Sequence, residues 1–554
     1  MTIWRQKSAG LQSRPISWTV GFLGVVVMLM TTATGQAEDR KGPKTAQRVA
    51  NLLDEQMQAD WQAANVVPTA ASDDAEFLRR IFLHLNGTIP DVFSARSFLA
   101  SNSPDKRQQQ IDQCLDGPAY CTHFAEILRD VLIPDSGQNF FSTQEANGFE
   151  FWLARQFAQE TPYDRIISLI LMGDSNSGNQ APQTFSSALD PRQVNPAAFY
   201  RSRQAAPENL AAAATRYFLG VRLECAQCHD HPFDHWKQEE FWGMAAFFAG
   251  QPVKTEAGKI TFRIKIPKTE NYATASFLDD SARSWKVGTD SRQMLAEWIT
   301  ARTNQRFSQA IVNRIWGHLF GRGLVDPVDD FNEENPASHP AVLSLLADEF
   351  VQHDYDLKFL LRAITYSKTY QLSSRRTHPS QEAPEMFARM WVQGLTASQL
   401  RNSLMQASGT RSDLRMGLTL NTRLDSFSAR SFESLFPNNA ASNAERESSI
   451  LQSLLMMNSP QISQSVSWRS PGTLAAILAA PYLDFDQKID TLFLATLTRF
   501  PSSPERDRIH TFLNDSTYQK TFVPSVKLPI GNRNQGFSEL FWVLLNSSEF
   551  CLIH

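Results

Sequence analysis

Eleven residues near the middle of the chain combine many of the side chains that could hold a haem or a metal ion. The run begins Cys225-Ala226-Gln227-Cys228-His229 and ends at His235, and it contains two thiols, three imidazoles and two carboxylates. In a Cys-x-x-Cys-His sequence the thiols can form thioethers to the vinyl groups of haem, and the adjacent imidazole can bind the iron. The first hypothesis is therefore a covalent haem c held by Cys225, Cys228 and the proximal ligand His229.

The ligand on the opposite face of the iron is left open by the sequence. No candidate has a privileged spacing, and His231 lies so close to His229 that we expect a distant ligand or an open site. An open site would permit ligand binding or peroxide chemistry, whereas six-coordinate iron favours electron transfer. The candidates are Met244, His231, His235, His84, His123 and His318.

Two other kinds of site use the same run. Thiolates and imidazoles suit zinc or iron, with His231, Asp234 and His235 as alternative ligands beside His229. Structural zinc sites usually join two separated ligand pairs, however, and here the second pair lies almost on top of the first. The third hypothesis is a Cys225–Cys228 disulfide that staples a loop in an oxidising compartment.

A second polar cluster follows a predicted helix in the later part of the chain. Five carboxylates fall within nine residues, beginning with Asp326, Asp329 and Asp330. Oxygen ligands of this kind could bind a cation such as calcium, although the spacing matches no EF-hand loop. Solvated or salt-bridged carboxylates are the commoner outcome, with Arg314 and Arg322 as the nearest partners.

The N-terminus has the pattern of a secretory signal peptide over residues 1–37. Basic residues precede an apolar run from Val20 to Met30, and small residues follow up to Ala37. An uncleaved N-terminal anchor has the same pattern, and it would be the protein's only attachment to a membrane. Both interpretations predict an exported chain, periplasmic or secreted.

The composition and the absence of certain motifs exclude some classes of function. The chain has 554 residues, 42% of them hydrophobic, which predicts a globular protein of two or three domains. A net charge of −4 without a basic stripe argues against nucleic acid as a partner. The sequence has no nucleophile elbow, no phosphate-binding Gly-rich loop and no zinc-protease helix, so a hydrolase has no residues to rest on.

The elements that must position these residues are predicted to be mainly helices. Phe77, Leu78, Ile81 and Leu85 fall on one face of an amphipathic helix preceded by cap candidates, and Ser103-Pro104 predicts the start of another. Residues 205–219 form a further helix leading into the Cys-x-x-Cys-His run, and an aromatic segment, 241–248, predicts a buried helix after it.

Between residues 251 and 288 the apolar residues recur at every second position instead of at helical spacing. Apolar residues alternate with polar ones from Ile260 to Ile266, which predicts a half-buried strand. The fold class is therefore mainly α, with two helical domains separated by a small β insertion or linker. The predicted divisions are residues 45–250, 251–288 and 289–554.

Several long strings of residues together resemble a family of secreted planctomycete-type proteins. In the first domain they are Phe77-Leu78-Arg79-Arg80 and the stretch from Phe218 through Trp236, and in the second Ile311–Trp316 and Phe320–Pro327. That family joins a cytochrome-c-like domain of uncharacterised function to a planctomycete-specific domain of unknown function.

The resemblance implies haem at Cys225, Cys228 and His229, and hence an exported protein for electron transfer or redox chemistry with a redox partner protein in the cell envelope. Two alternatives stay open. One is a zinc- or iron-dependent extracytoplasmic enzyme, and the other is a non-catalytic cell-envelope binding module with a disulfide-stapled loop.

Overall fold

The protein is described by a computed structural model over residues 42–133, 140–173, 196–231, 234–249, 252–254, 260–279, 290–409, 457–458, 460–514 and 533–554. The architecture is mainly helical, which confirms the predicted fold class. The predicted signal peptide, residues 1–37, and parts of the predicted linker, residues 251, 255–259 and 280–288, lie outside the described residues. No helix in these ranges is long and apolar enough to cross a membrane.

Ten α-helices are described before the β insertion. The second begins where the sequence predicts it, since Asp73 accepts a hydrogen bond from the backbone N–H of Glu76 at 2.8 Å. The helix predicted from Ser103-Pro104 starts later, at Lys106, because Pro104 and Asp105 form a turn. The helices are α1 (Pro43–Ala63), α2 (Asp74–Asn86), α3 (Val92–Ala100), α4 (Lys106–Asp116), α5 (Pro118–Leu132), α6 (Phe140–Ala158), α7 (Tyr163–Met172), α8 (Ala198–Ser202), α9 (Pro207–Leu219) and α10 (Gln238–Ala249).

The β insertion is a three-stranded antiparallel sheet, in the order β1 (Pro252–Lys254), β2 (Ile260–Lys265) and β3 (Tyr272–Thr274). Pro252 pairs with Phe262, and Arg263 with Thr274. Phe262 is buried and Arg263 is exposed, as the period of two requires. The sheet packs on α10, whose aromatic segment is buried as predicted.

The remaining described elements are again mainly helical. Two short strands, β4 (Gln393–Gly394) and β5 (Leu552–Ile553), pair antiparallel and place the last described residues beside the segment that precedes α15. The helices are α11 (Ser291–Ile299), α12 (Gln305–Phe320), α13 (Pro340–Gln352), α14 (Leu357–Thr365), α15 (Ala397–Ser408), α16 (Pro460–Ser465), α17 (Thr473–Ala479), α18 (Phe485–Leu497), α19 (Ser503–Asn514), α20 (Arg533–Leu545) and α21 (Ser548–Cys551).

Two hydrophobic cores hold these helices together, and each contains residues from both the first and the second half of the chain. The larger core contains Trp61, Phe241 and Trp316, and α1 packs against α13 and α14. The smaller core is built mostly from residues 397–553, with Leu83 and Ile89 of the first half added. The early helices are thus buried among later ones, and the two halves share their interior.

Helix α2 joins the two cores through two buried arginines. Arg79 donates to the backbone carbonyls of Thr496 and Phe550 at 2.9 and 2.7 Å. Arg80 pairs with Glu76 at 2.6 Å and donates to carbonyl groups of the later half. Burying a guanidinium is costly unless it is hydrogen-bonded, and both terminal nitrogens of Arg79 have carbonyl partners although its Nε has none among the described residues. These contacts explain why two arginines follow Phe77-Leu78 on a face that is otherwise apolar.

Candidate functional site

The Cys-x-x-Cys-His sequence lies on a short surface turn between α9 and α10. A 3₁₀-helix spans Glu224–Gln227, and Cys228 follows it with helical backbone angles. Side chains three residues apart eclipse one another in a 3₁₀-helix, so Cys225 and Cys228 lie on the same side of the turn. Both cysteines are exposed free thiols, while Ala226 between them is buried.

Helix α10 holds the backbone of this turn. The Gln238 amide donates to the carbonyls of Gln227 and Cys228 at 3.2 and 2.8 Å, and the Trp242 indole N–H donates to the Gln227 carbonyl at 3.0 Å. Trp242 is itself buried. Helix α10 therefore fixes the backbone that carries the two thiols, while the side chains of Cys225 and Cys228 are exposed to solvent.

The imidazole of His229 is exposed beside the thiols, and one of its ring nitrogens is occupied. Nδ1 donates to the backbone carbonyl of Asp230 at 2.7 Å. A histidine that binds a metal commonly donates its other ring N–H to a carbonyl or carboxylate in this way. The contact leaves Nε2 as the nitrogen suited to an iron or another metal.

The other potential ligands in the run make contacts of their own. His235 Nδ1 lies 2.7 Å from the Asp234 carboxylate, and the His235 ring packs on Trp236 with a centroid distance of 4.1 Å. The backbone N–H of His231 donates to the Trp236 carbonyl at 2.8 Å. In the described ranges no three His, Cys, Asp or Glu side chains are arranged to hold a metal ion. A zinc or iron site with His231, Asp234 and His235 stays a prediction.

The acidic loop after α12, predicted as a weak cation site, is paired with arginines. Asp329 is buried and contacts Arg314, and a second oxygen lies 3.5 Å from Arg216 Nε. The other two pairs are Asp326 with Arg322 at 3.3 Å and Asp330 with Arg222 at 4.0 Å. Arg216 and Arg222 flank the segment that enters the Cys-x-x-Cys-His turn.

Phe331 ties the same loop to the chain just before the turn. Its backbone N–H donates to the Gly220 carbonyl at 2.9 Å. Gly220 has φ +70°, and a β-carbon there would lie 2.5 Å from the Phe331 ring. Only glycine combines this backbone conformation with so close an approach. The second half of the protein therefore positions the segment that carries the thiols.

Three histidines named above only as possible distal ligands come together in the interior. The His318 ring lies 5.6 Å from that of His84 and 5.8 Å from that of His123, centroid to centroid. His84 and His123 are buried. The sequence gives no signal for this cluster, since its members come from α2, α5 and α12. Met244, another candidate distal ligand, is buried in α10.

Glu126, one turn after His123, is a buried carboxyl that the sequence did not single out. Burial and, to a smaller extent, the nearby Glu150 raise its pKa to about 7, against the opposing effect of Arg129. The Arg129 guanidinium lies 4.0 Å from the Glu126 carboxylate and bonds Glu150 at 2.7 Å. The buried Glu126 carboxyl therefore holds its proton to a higher pH than an exposed glutamate does.

Two family descriptions match the chain. Residues 52–252 match "PSCyt2: Protein of unknown function (DUF1549)", and residues 291–427 match "PSD1: Protein of unknown function (DUF1553)". The chain thus carries these two domains of unknown function in tandem, in the order that the resemblance implies. No curated protein and no solved structure matches the chain.

Proposed function

We propose that this chain, with its two tandem domains of unknown function, is an exported redox protein that carries one covalent haem c and transfers electrons to a partner protein in the cell envelope. The observation that carries the proposal is the geometry of the turn. Cys225 and Cys228 are free, exposed thiols on one side of a 3₁₀-helix, and His229 follows with Nδ1 already engaged. Thiols buried in the core could not react with a group that arrives from solvent.

The chain's residues would hold the haem in two ways. Cys225 and Cys228 would each be joined to the haem by a thioether, formed by addition of the S–H bond across a vinyl group with no net gain or loss of electrons. His229 would bind iron through Nε2, with its ring orientation fixed by the Nδ1 contact to Asp230. Bound haem supplies one-electron transfer at a potential set by its ligands and surroundings.

The exported location is part of the proposal, because haem attachment of this kind takes place outside the cytoplasm. The basic and apolar N-terminal residues support it. An uncleaved signal would tether the protein to the membrane at its start, and a cleaved one would release it.

Serine variants of the two thiols test the proposal. The full chain is expressed with its own N-terminus in a host that has cytochrome c maturation, and intact mass is measured on the exported protein. We expect a haem-sized mass increase that is lost in both Cys225→Ser and Cys228→Ser. The matched control is Cys121→Ser, which removes a thiol of α5 outside the turn and should load haem normally.

Other results would refute the haem proposal. Wild-type protein at apo mass is one, and haem retained in both serine variants is another. If the wild-type protein has the apo mass, thiol counting and metal analysis on the same sample distinguish a disulfide from a zinc or iron site. A disulfide would leave neither motif thiol free, whereas a zinc or iron site would carry metal that both serine variants lose.

A further inference from the structure

Helix α10 begins against the residue that follows His229. The backbone N–H of Gln238, the first residue of α10, donates to the Asp230 carboxylate at 2.9 Å. The first N–H groups of a helix have no partner within the helix, and the helix dipole favours a carboxylate at that end. Asp230 thus supplies an acceptor for the start of α10, although it lies eight residues earlier in the chain.

The side chain of Gln238 holds the other side of His229. Its amide donates to the Cys228 carbonyl at 2.8 Å and to the Gln227 carbonyl at 3.2 Å. The indole N–H of the buried Trp242 donates to the same Gln227 carbonyl at 3.0 Å. One residue of α10 therefore fixes the backbone before His229 through its amide and the residue after His229 through its own N–H.

These contacts reach the imidazole through the backbone of Asp230. His229 Nδ1 donates to the Asp230 carbonyl at 2.7 Å. The His229 side chain is exposed, so its orientation depends on this hydrogen bond rather than on packing in the core. Because Gln238 holds the Asp230 carboxylate, the Asp230 carbonyl keeps one position, and the imidazole keeps one orientation with it.

The segment after Asp230 is anchored a second time. The backbone N–H of His231 donates to the Trp236 carbonyl at 2.8 Å, and Trp236 is only 4% exposed. Asp230 therefore lies between two fixed points, the turn on one side and the anchor at His231 on the other. Its carbonyl has little freedom to move while the Gln238 contact is in place.

We propose that Asp230 and Gln238 are positioning residues for the haem, which hold the carbonyl that orients His229 and thereby lower the reduction potential of the iron. The inference rests on the proposed function, because it requires haem c at the turn. A hydrogen bond from Nδ1 raises the basicity of a metal-binding imidazole. A more basic ligand favours ferric over ferrous iron, because the ferric ion carries the higher charge. Loss of the contact should therefore raise the reduction potential.

A spectroelectrochemical titration of the full, haem-loaded chain measures this effect. Asp230→Ala removes the acceptor of the Gln238 N–H, whereas Asp230→Asn keeps an acceptor oxygen and removes only the charge. Outer contacts of metal ligands are worth about 10–100-fold in affinity, and we expect about tenfold because the Asp230 carbonyl itself remains. A tenfold change in the preference for ferric iron is about 59 mV for a one-electron couple. The potential of Asp230→Ala should rise by about that amount, and Asp230→Asn should keep the wild-type potential.

Gln238→Leu tests the second residue, since leucine lacks the amide donors. Its potential should also rise. The matched control is Gln535→Leu, which replaces an exposed glutamine in the first turn of α20 that donates to Glu539 at 3.3 Å. Gln535→Leu should keep the wild-type potential. Equal shifts in Asp230→Ala and Asp230→Asn would overturn the proposal, because the lost charge would then explain both.

Hydrogen exchange tests the same contacts without haem. The Cys225→Ser/Cys228→Ser double variant cannot hold haem covalently, and adding Gln238→Leu to it should speed exchange at Ala226 and His231 by about fivefold. That factor corresponds to the loss of one typical hydrogen bond. The N–H groups of Ala226 and His231 are suitable probes because both are hydrogen-bonded, to the Leu223 and Trp236 carbonyls.

The two measurements separate this proposal from the proposed function. Unchanged exchange in Gln238→Leu would overturn the positioning role whether or not the wild-type chain carries haem. Wild-type protein at apo mass would refute the proposed function and this role with it. Loaded haem with the wild-type potential in both Asp230→Ala and Gln238→Leu would overturn the positioning role alone.

Discussion

The buried carboxylate of Asp329 should be the most sensitive residue of the loop that positions the Cys-x-x-Cys-His turn. It contacts Arg314 and also Arg216, and only 6% of its surface is exposed. In Asp329→Asn the Arg314 guanidinium, whose side chain is 13% exposed, loses its charge partner. Breaking a buried pair from one side costs about 3–5 kcal/mol. Because Arg314 retains some solvent contact, we expect about 3 kcal/mol.

Urea unfolding followed by tryptophan fluorescence measures this loss as a lower midpoint. The matched control is Glu334→Gln, which removes an exposed carboxylate from the same loop and should change stability by less than about 0.5 kcal/mol. Hydrogen exchange should also become faster at residues 220–228 in Asp329→Asn, since the loop holds Gly220 through Phe331. Equal urea midpoints for Asp329→Asn and Glu334→Gln would show that the Asp329 pairs do not stabilise the protein.

Two further substitutions have defined outcomes. Gly220→Ala should destabilise the protein by about 1–3 kcal/mol, because alanine would have to adopt a left-handed backbone conformation with its β-carbon against Phe331. The control is Gly117→Ala, at φ −78°, and equal urea midpoints for the two variants would contradict the prediction. Glu126 has a pKa raised to about 7 from 4.5, so the folded state binds more protons between these values and stability falls as pH rises through them. Glu126→Gln should therefore stabilise the protein by about 3 kcal/mol at pH 8 and by nothing at pH 4, as urea unfolding at both pH values can show; an equal change at both would contradict this.

Local patterns predicted much of the fold. The apolar spacing of Phe77, Leu78, Ile81 and Leu85 predicts α2, and Asp73 caps it, because helix periodicity and capping depend on residues close in sequence. The alternation from Ile260 predicts β2 for the same reason. The start of α4 was predicted too early, since Pro104 favours the first turn of a helix but also favours a turn before it.

The parts that the sequence could not predict depend on contacts between distant residues. Nothing near Arg79 indicates that its partners are carbonyls of Thr496 and Phe550. The cluster of His84, His123 and His318 likewise forms only when three helices pack. The thiols and imidazole of the turn were found from sequence because they are contiguous.

Whether the chain carries haem c is decided by a reduced pyridine haemochrome spectrum of the wild-type protein, exported in a host with cytochrome c maturation. We expect a c-type spectrum, with one haem per chain that resists acid–acetone extraction because Cys225 and Cys228 hold it covalently. Colourless protein, or haem that is fully extracted by acid–acetone, would contradict it.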